Sequence, residues 1–174
     1  LLDCLLAPTP QPELLRLLGR PFVLVTGHRR ESFGGGLSAV CEGLVALARA
    51  YPGVDFVYPV HLNPRVQAAV HGQLAGLGNV LLIEPVEYFT AVWLLQRCMF
   101  VITDSGGLQE EAPEFGKPVI VTRTSTERTE GIAAGCAALV GYDTQKLVST
   151  ARRWLDDPEA YAAASPAKNP YGDG

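Results

Sequence analysis

Six short apolar runs, Phe22–Thr26, Val54–Val60, Val80–Ile83, Phe100–Thr103, Val119–Thr122 and Ala137–Val140, recur along this chain with helical patterns between them. Brief, nearly continuous stretches of Val, Ile and Leu are how strands buried on both faces of a parallel sheet read. Parallel neighbours need a crossover, usually a helix, and the intervening segments supply it. Leu37, Val40, Cys41, Leu44, Leu47 and Ala48 recur at helical spacing until Tyr51-Pro52-Gly53 stops them. Pro64–Leu74 opens with proline at an early helical position after Asn63, a predicted N-cap. Tyr88–Arg97 is a further short helix, and Leu108–Phe115 is expected to kink or end early at Pro113. Thr144–Leu155 closes the series, with Lys146, Arg152 and Arg153 on its polar side. Strands alternating with helices through short loops predict a doubly wound, Rossmann-like α/β domain over residues 21–174. Before it, Leu1–Leu6 has helical character, Pro8, Pro10 and Pro12 predict an extended linker, and Glu13–Leu18 is a short helical stretch closed by Gly19. Residues 1–20 are therefore expected to be a helix and a Pro-rich linker.

A length of 174 residues suits one well-buried core and is too short for two ordinary domains. With 48% hydrophobic and 18% charged residues, the composition is that of a folded globular protein, not a disordered one. The net charge of −4 argues against a nucleic-acid partner, because no basic face is available to displace counterions. No run approaches the length of a membrane span, Val92–Thr103 being broken by Gln96 and Arg97. Leu1–Leu6 carries neither a basic n-region nor a cleavage signature, so no secretory leader is expected. The chain opens on Leu1 and its one methionine is Met99, so it reads as a piece of a longer protein. Cys4, Cys41, Cys98 and Cys136 are scattered, with no C-x-x-C pair and no histidine at zinc-ligand spacing. Reduced thiols in a cytoplasmic protein are the expectation, and no catalytic cysteine is expected because none sits in either glycine-rich loop.

Ligands of doubly wound sheets bind outside the carboxyl ends of the strands, and the polar, glycine-rich strings of this chain fall there. Ser105-Gly106-Gly107 follows Phe100–Thr103 and precedes a helix, so bare backbone N–H groups would face an anion, with two glycines permitting its close approach. Glu110 and Glu111 come one turn later, within reach of ribose hydroxyls. The alternative is an ordinary strand-to-helix turn with Ser105 as N-cap and two acids favoured by the helix dipole, which leaves the paired glycines unexplained. His28-Arg29-Arg30-Glu31 through Gly36 sets a histidine and two guanidinium groups before three glycines, a string suited to a diphosphate; the alternative is a solvated turn. Thr122–Glu130 reads equally well as a ligand loop, with Arg128 reaching phosphate or sugar, or as a polar loop ending in an N-cap Thr129. His61-Leu62-Asn63-Pro64 also ends a strand, although a buried, satisfied histidine is the commoner fate of such a residue. His71, mid-helix among polar neighbours, is expected at the surface.

Taken together, the strings Val25–Gly34, Tyr58–Pro64, Thr103–Pro113, Gly116–Val119, Thr126-Glu127-Arg128 and Asn169–Gly174 resemble the non-hydrolysing bacterial UDP-N-acetylglucosamine 2-epimerases. They stand in family order from about residue 22 to the end. The resemblance implies one half of a GT-B type two-domain enzyme, the carboxyl-terminal one, with the active site in the cleft between halves and the acid/base carboxylates on the amino-terminal half. It implies Ser105, Gly106 and Gly107 on the diphosphate, Glu111 on the ribose, Arg128 on phosphate or sugar, and His28 as the catalytic-site histidine assisting departure of UDP. Arg29 and His61 resemble positions that, in some members, bind a second UDP-N-acetylglucosamine as activator. It implies UDP and UDP-N-acetylglucosamine as ligands, no cofactor or metal, a homodimer when full-length, and a place in cell-envelope polysaccharide synthesis. Positions that hold uracil in relatives are Val86 and Ala91 here, neither polar nor aromatic, and Phe89 is the nearest aromatic substitute. Competing readings are a GT-B glycosyltransferase domain, a hydrolysing epimerase relative, and a non-enzymatic nucleotide-binding module.

Overall fold

The computed structural model describes residues 12–27 and 35–172. Its strands are β1 (Phe22–Thr26), β2 (Asp55–Pro59), β3 (Val80–Ile83), β4 (Val101–Thr103), β5 (Val119–Val121) and β6 (Ala137–Leu139). They form one six-stranded sheet in the order β3-β2-β1-β4-β5-β6, and every neighbouring pair is parallel. Each expected run holds a strand, trimmed by a residue or so where the ladder stops.

Successive residues of a strand point to opposite faces, and both faces here are covered. Val23 and Val25 of β1 join Phe56, Tyr58, Ile102 and Ile120 in one buried cluster, under α1 (Gly35–Ala50), α2 (Pro64–Leu74) and α6 (Thr144–Asp156). Phe22 and Leu24 turn the other way, to Val57, Val101, Val119 and Val121, under α3 (Tyr88–Arg97). The apolar face expected for α1 is the one it buries, and Asn79 Nδ2 fastens its end through the carbonyls of Ala48, Tyr51 and Val54 at 2.9–3.1 Å. Asn63 caps α2 as expected, its side chain accepting from the Arg65 amide. Among the described residues no helix is long and apolar enough to cross a membrane.

Several local expectations are corrected. Pro12 is the first residue of a 3-10 helix, Pro12–Gly19, and not part of an extended linker. A proline at that position gives up an N–H that would be unbonded anyway. Leu14 and Leu17 from that helix are buried in the same cluster as Phe22 and Leu24. The helix expected to begin at Leu108 begins two residues earlier, as α4 (Gly106–Glu111); as expected it ends early near Pro113, tightening into a 3-10 turn, Ala112–Phe115, that stops at Gly116 with φ +68°. Thr129 is not an N-cap: it is the first residue of α5 (Thr129–Ala133), and Arg128 occupies the cap position. A last helix, α7 (Pro158–Ala164), was not expected. Asp157 caps it through the amides of Glu159 and Ala160, and the Asp-Pro-Glu spelling is a start signal visible in sequence.

Candidate functional site

Strand order places the site. The chain winds outward from β1 to β3, then returns to β4 on the other side of β1, so the ends of β1 and β4 diverge into a crevice. Thr26 and Thr103 are register partners at that point. Thr103 is fully buried and its Oγ1 accepts the Ser105 amide at 2.9 Å, which turns the chain sharply into α4. Beside it opens a pocket of about 230 Å³, walled by Leu24, Pro85, Val86, Ala91, Leu94 and Leu108, with Ser105, Thr26, Gly27 and His61 at its edge. The lining is mostly apolar with a few polar groups, the usual make-up of a small-molecule site.

Ser105 stands at the N-cap of α4, yet its side chain makes no cap hydrogen bond. The ordinary capping-turn alternative therefore loses its main support. The amides of Gly106, Gly107 and Leu108 are first-turn groups with no partner inside the helix. Gly106 is buried because the Arg128 guanidinium lies over it: an added Cβ would stand 3.1 Å from Arg128 Cζ. Arg128 Nε donates to Glu110 Oε1 at 2.8 Å and Nη1 to Glu127 Oε2 at 3.0 Å. Glu110 is thus engaged with Arg128. Burial, with a smaller push from Glu110, raises the Glu111 pKa above the ordinary carboxylate value. Its Oε1 is 3.7 Å from where a Gly107 side chain would begin.

Gln109, fully buried, ties these pieces together. Its Nε2 donates to the Ser105 carbonyl at 3.1 Å, its Oε1 accepts from Thr126 Oγ1 at 2.7 Å, and Thr126 Oγ1 in turn accepts the Arg128 amide at 3.1 Å. Gln109 belongs to the Thr103–Pro113 string, but no role was read for it from the sequence. Nor was one read for Arg123, just after β5, which is buried with no hydrogen-bond partner for Nε or Nη1 among the described residues. Such donors cost free energy until something satisfies them.

The structure brings Ser105, Gly106, Gly107, Glu111 and Arg128 together. His61 is exposed, not buried, its Nδ1 accepting the Asn63 amide at 3.1 Å, and it lies at the pocket edge. His71 is exposed, as expected. Val86 and Ala91 line the pocket, whereas Phe89 is 51% exposed and packs edge-on against Tyr88. His28 and Arg29, with the rest of their string to Gly34, lie outside the described residues. Among the described residues no group of His, Cys, Asp or Glu side chains is arranged to hold a metal ion.

A family model described as UDP-N-acetylglucosamine 2-epimerase matches residues 6–174. This chain belongs to that family. The probable UDP-N-acetylglucosamine 2-epimerase of Ralstonia nicotianae is 53% identical over 159 residues, which cover 91% of this chain and 42% of that protein. The chain thus spans less than half the length of its epimerase relatives and corresponds to their carboxyl-terminal part. The structure of UDP-GlcNAc 2-epimerase from Neisseria meningitidis bound to UDP-GlcNAc superposes with a TM-score of 0.90 at 39% identity, covering 98% of this chain and 47% of that one. At 15% identity, the carboxyl-terminal domain of a group 1 glycosyl transferase from Francisella tularensis superposes with a TM-score of 0.71 over 94% of this chain and 91% of that one, a likeness of fold alone. The domain is one Rossmann-like half of the GT-B architecture, and the epimerase family to which it belongs is one of isomerases.

Proposed function

We propose that this chain is the UDP-binding half of a non-hydrolysing UDP-N-acetylglucosamine 2-epimerase, with residues 21–174 forming the nucleotide-sugar domain and residues 1–20 the passage from an amino-terminal half. The observation that carries the reading is the convergence, at the β1/β4 divergence, of an apolar pocket, uncapped α4 amides, Glu111 and Arg128. The pocket takes the base, Glu111 accepts from the ribose, and the Ser105–Gly107 amides with Arg128 hold the diphosphate. The reaction interconverts UDP-GlcNAc and UDP-ManNAc. A base on the amino-terminal half removes the C2 proton, the C1–O bond breaks, and UDP departs with the bonding pair to leave a glycal. UDP then re-adds at C1 as a proton returns to C2 from the opposite face. Because the C2 proton is only weakly acidic, the leaving diphosphate needs preorganised donors, and loss of one such donor costs about 10²–10³ in rate. His28 is placed by family resemblance to stabilise or protonate that diphosphate, and Arg29 and His61 to hold an activating second substrate. The reading carries a cytoplasmic homodimer serving cell-envelope polysaccharide synthesis, and the free, buried Cys41, Cys98 and Cys136 suit a reducing compartment.

The test is incubation of the full-length protein with UDP-GlcNAc in deuterated water, followed by NMR. UDP-ManNAc with deuterium at C2 is expected, and His28→Ala is expected to lower kcat far more than it raises KM, since leaving-group stabilisation acts in the transition state. Release of free N-acetylmannosamine would make the protein a hydrolysing relative. This chain by itself is expected to bind UDP weakly and to epimerise nothing, because proximity to the missing acid/base groups accounts for about 7–11 kcal/mol of barrier lowering.

A further inference from the structure

The terminal Asn169-Pro170-Tyr171-Gly172 string has no role in the chemistry above, yet it reaches the site from two sides. Tyr171 Oη donates to the Arg128 carbonyl at 3.2 Å and accepts the Gly131 amide at 3.1 Å. Asn169 Nδ2 donates to the Glu110 carbonyl and to Glu114 Oε2, both at 3.2 Å, while its Oδ1 accepts the Tyr171 amide at 3.1 Å. One short turn therefore grips both α4, which carries Glu110, and the start of α5, which carries Arg128.

Arg128 needs such a grip. Its backbone, at φ −92° and ψ 68°, is neither helical nor extended, and its side chain, engaged with Glu110 and Glu127, makes no capping hydrogen bond to α5. Two hydrogen bonds from outside α5 fix that backbone: Thr126 Oγ1 on the Arg128 amide and Tyr171 Oη on its carbonyl. The approach of the phenol is close enough to constrain sequence elsewhere, since a Cβ on Gly131 would stand 2.6 Å from Tyr171 Oη. Burial raises the Tyr171 pKa, so the hydroxyl keeps its proton and remains a donor at neutral pH.

We propose that the Asn169–Gly172 turn is a positioning clamp for Arg128, with Tyr171 the residue that sets the guanidinium over Gly106 and against Glu110. Neither Asn169 nor Tyr171 touches the ligand; both act through Arg128. The inference rests on the reading of Arg128 as a diphosphate ligand. A diphosphate is bound well only by donors already in place, so a loosened Arg128 binds more weakly even with its charge intact.

The experiment is a double-mutant cycle on the full-length protein, with UDP affinity measured by calorimetry for Tyr171→Phe, Arg128→Ala and the two combined. Tyr171→Phe is expected to weaken UDP roughly 3- to 10-fold, and the effect is expected to vanish in the Arg128→Ala background. An equal loss in both backgrounds, or no loss in Tyr171→Phe while Arg128→Ala binds poorly, overturns the clamp alone. No loss in Arg128→Ala overturns the nucleotide reading of Arg128 and the clamp with it. Asn169→Ala, which leaves Gly131 and Tyr171 Oη untouched, is the milder variant should Tyr171→Phe fold poorly, and a smaller loss with the same dependence on Arg128 is expected. A second readout needs no ligand: in 15N-arginine spectra the Arg128 Nε–H is expected to exchange faster in Tyr171→Phe, and an unchanged exchange rate contradicts the proposal.

Discussion

The hydroxyls of Thr26 and Thr103 lie 2.6 Å apart across the boundary between β1 and β4, where the sheet changes winding direction. Thr103 Oγ1 also accepts the Ser105 amide, so one buried hydroxyl joins the two central strands and starts the turn that presents Gly106 and Gly107. Replacing it by valine keeps the shape and removes both bonds. Thr103→Val is expected to destabilise this chain by about 1–3 kcal/mol, because the half-buried Ser105 amide and Thr26 hydroxyl lose their partner. Urea unfolding would show a lower midpoint with an unchanged slope, and Thr103→Ser is expected to recover most of the loss.

Gly106→Ala separates stability from binding. The nearest atoms to an added methyl group belong to the far end of Arg128, at 3.1–3.4 Å, and a flexible side chain can yield. Alanine is also the better helix former, by about 0.8–1 kcal/mol. The melting temperature is therefore expected to hold or rise, while UDP affinity in calorimetry falls severalfold as Arg128 is pushed off its seat. Unchanged affinity would show that the position of Arg128 over Gly106 is irrelevant to the ligand.

Glu111 is expected to bind at the expense of stability. Burial and the neighbouring Glu110 disfavour its charged form in the folded state, so its folded pKa stands above the ordinary value of 4.5. Below that value the carboxyl is protonated in both states and costs nothing; as pH rises from it through the raised folded pKa, the unfolded state loses its proton first and stability falls. Glu111→Gln is accordingly expected to be more stable than the parent at pH 7, to lose that advantage below the ordinary carboxylate range, and to bind UDP more weakly. Thermal melts from pH 4 to pH 8, with calorimetry at pH 7, test all three outcomes.

Cys41 and Cys98 are expected to be inert. Burial, helped at Cys41 by Glu42, pushes both thiols up to about 12, so almost no thiolate exists at neutral pH. Iodoacetamide at pH 8 is expected to label them only after urea is added, as read by mass spectrometry. Labelling of the folded chain within minutes would contradict the burial described for α1 and the end of α3.

The strands, the apolar face of α1 and the edge on which ligands gather were legible because each depends on residues close together in the chain. Phe22-Val23-Leu24-Val25 is an unbroken apolar run, as a strand covered on both faces shows, and Ser105-Gly106-Gly107 announces a tight turn by composition alone. The start of α7 was equally legible in Asp157-Pro158-Glu159, though the short Ala-rich stretch behind it carried no apolar stripe to mark it. The burial of Leu14 and Leu17 was not legible, since prolines before them suggested a linker and only the sheet face supplies what they pack against.

Local pattern thus determined that this chain is a doubly wound sheet with its glycine-rich strings at the carboxyl ends of the strands. The tertiary structure decided which groups meet there. Glu110 lies 18 positions from Arg128, and Arg128 lies 43 from Tyr171, separations at which no helical or strand period operates. Their contacts exist because β4 and β5 stand side by side, which delivers α4 and the loop before α5 to one end of the sheet, and because the chain's last turn folds back over both. Spacing left Glu110 and Glu111 equally open to a ligand, and the pairing of Glu110 with a guanidinium from the next crossover separated them, since charges pair with what the fold brings within hydrogen-bonding distance and not with what stands near them in sequence.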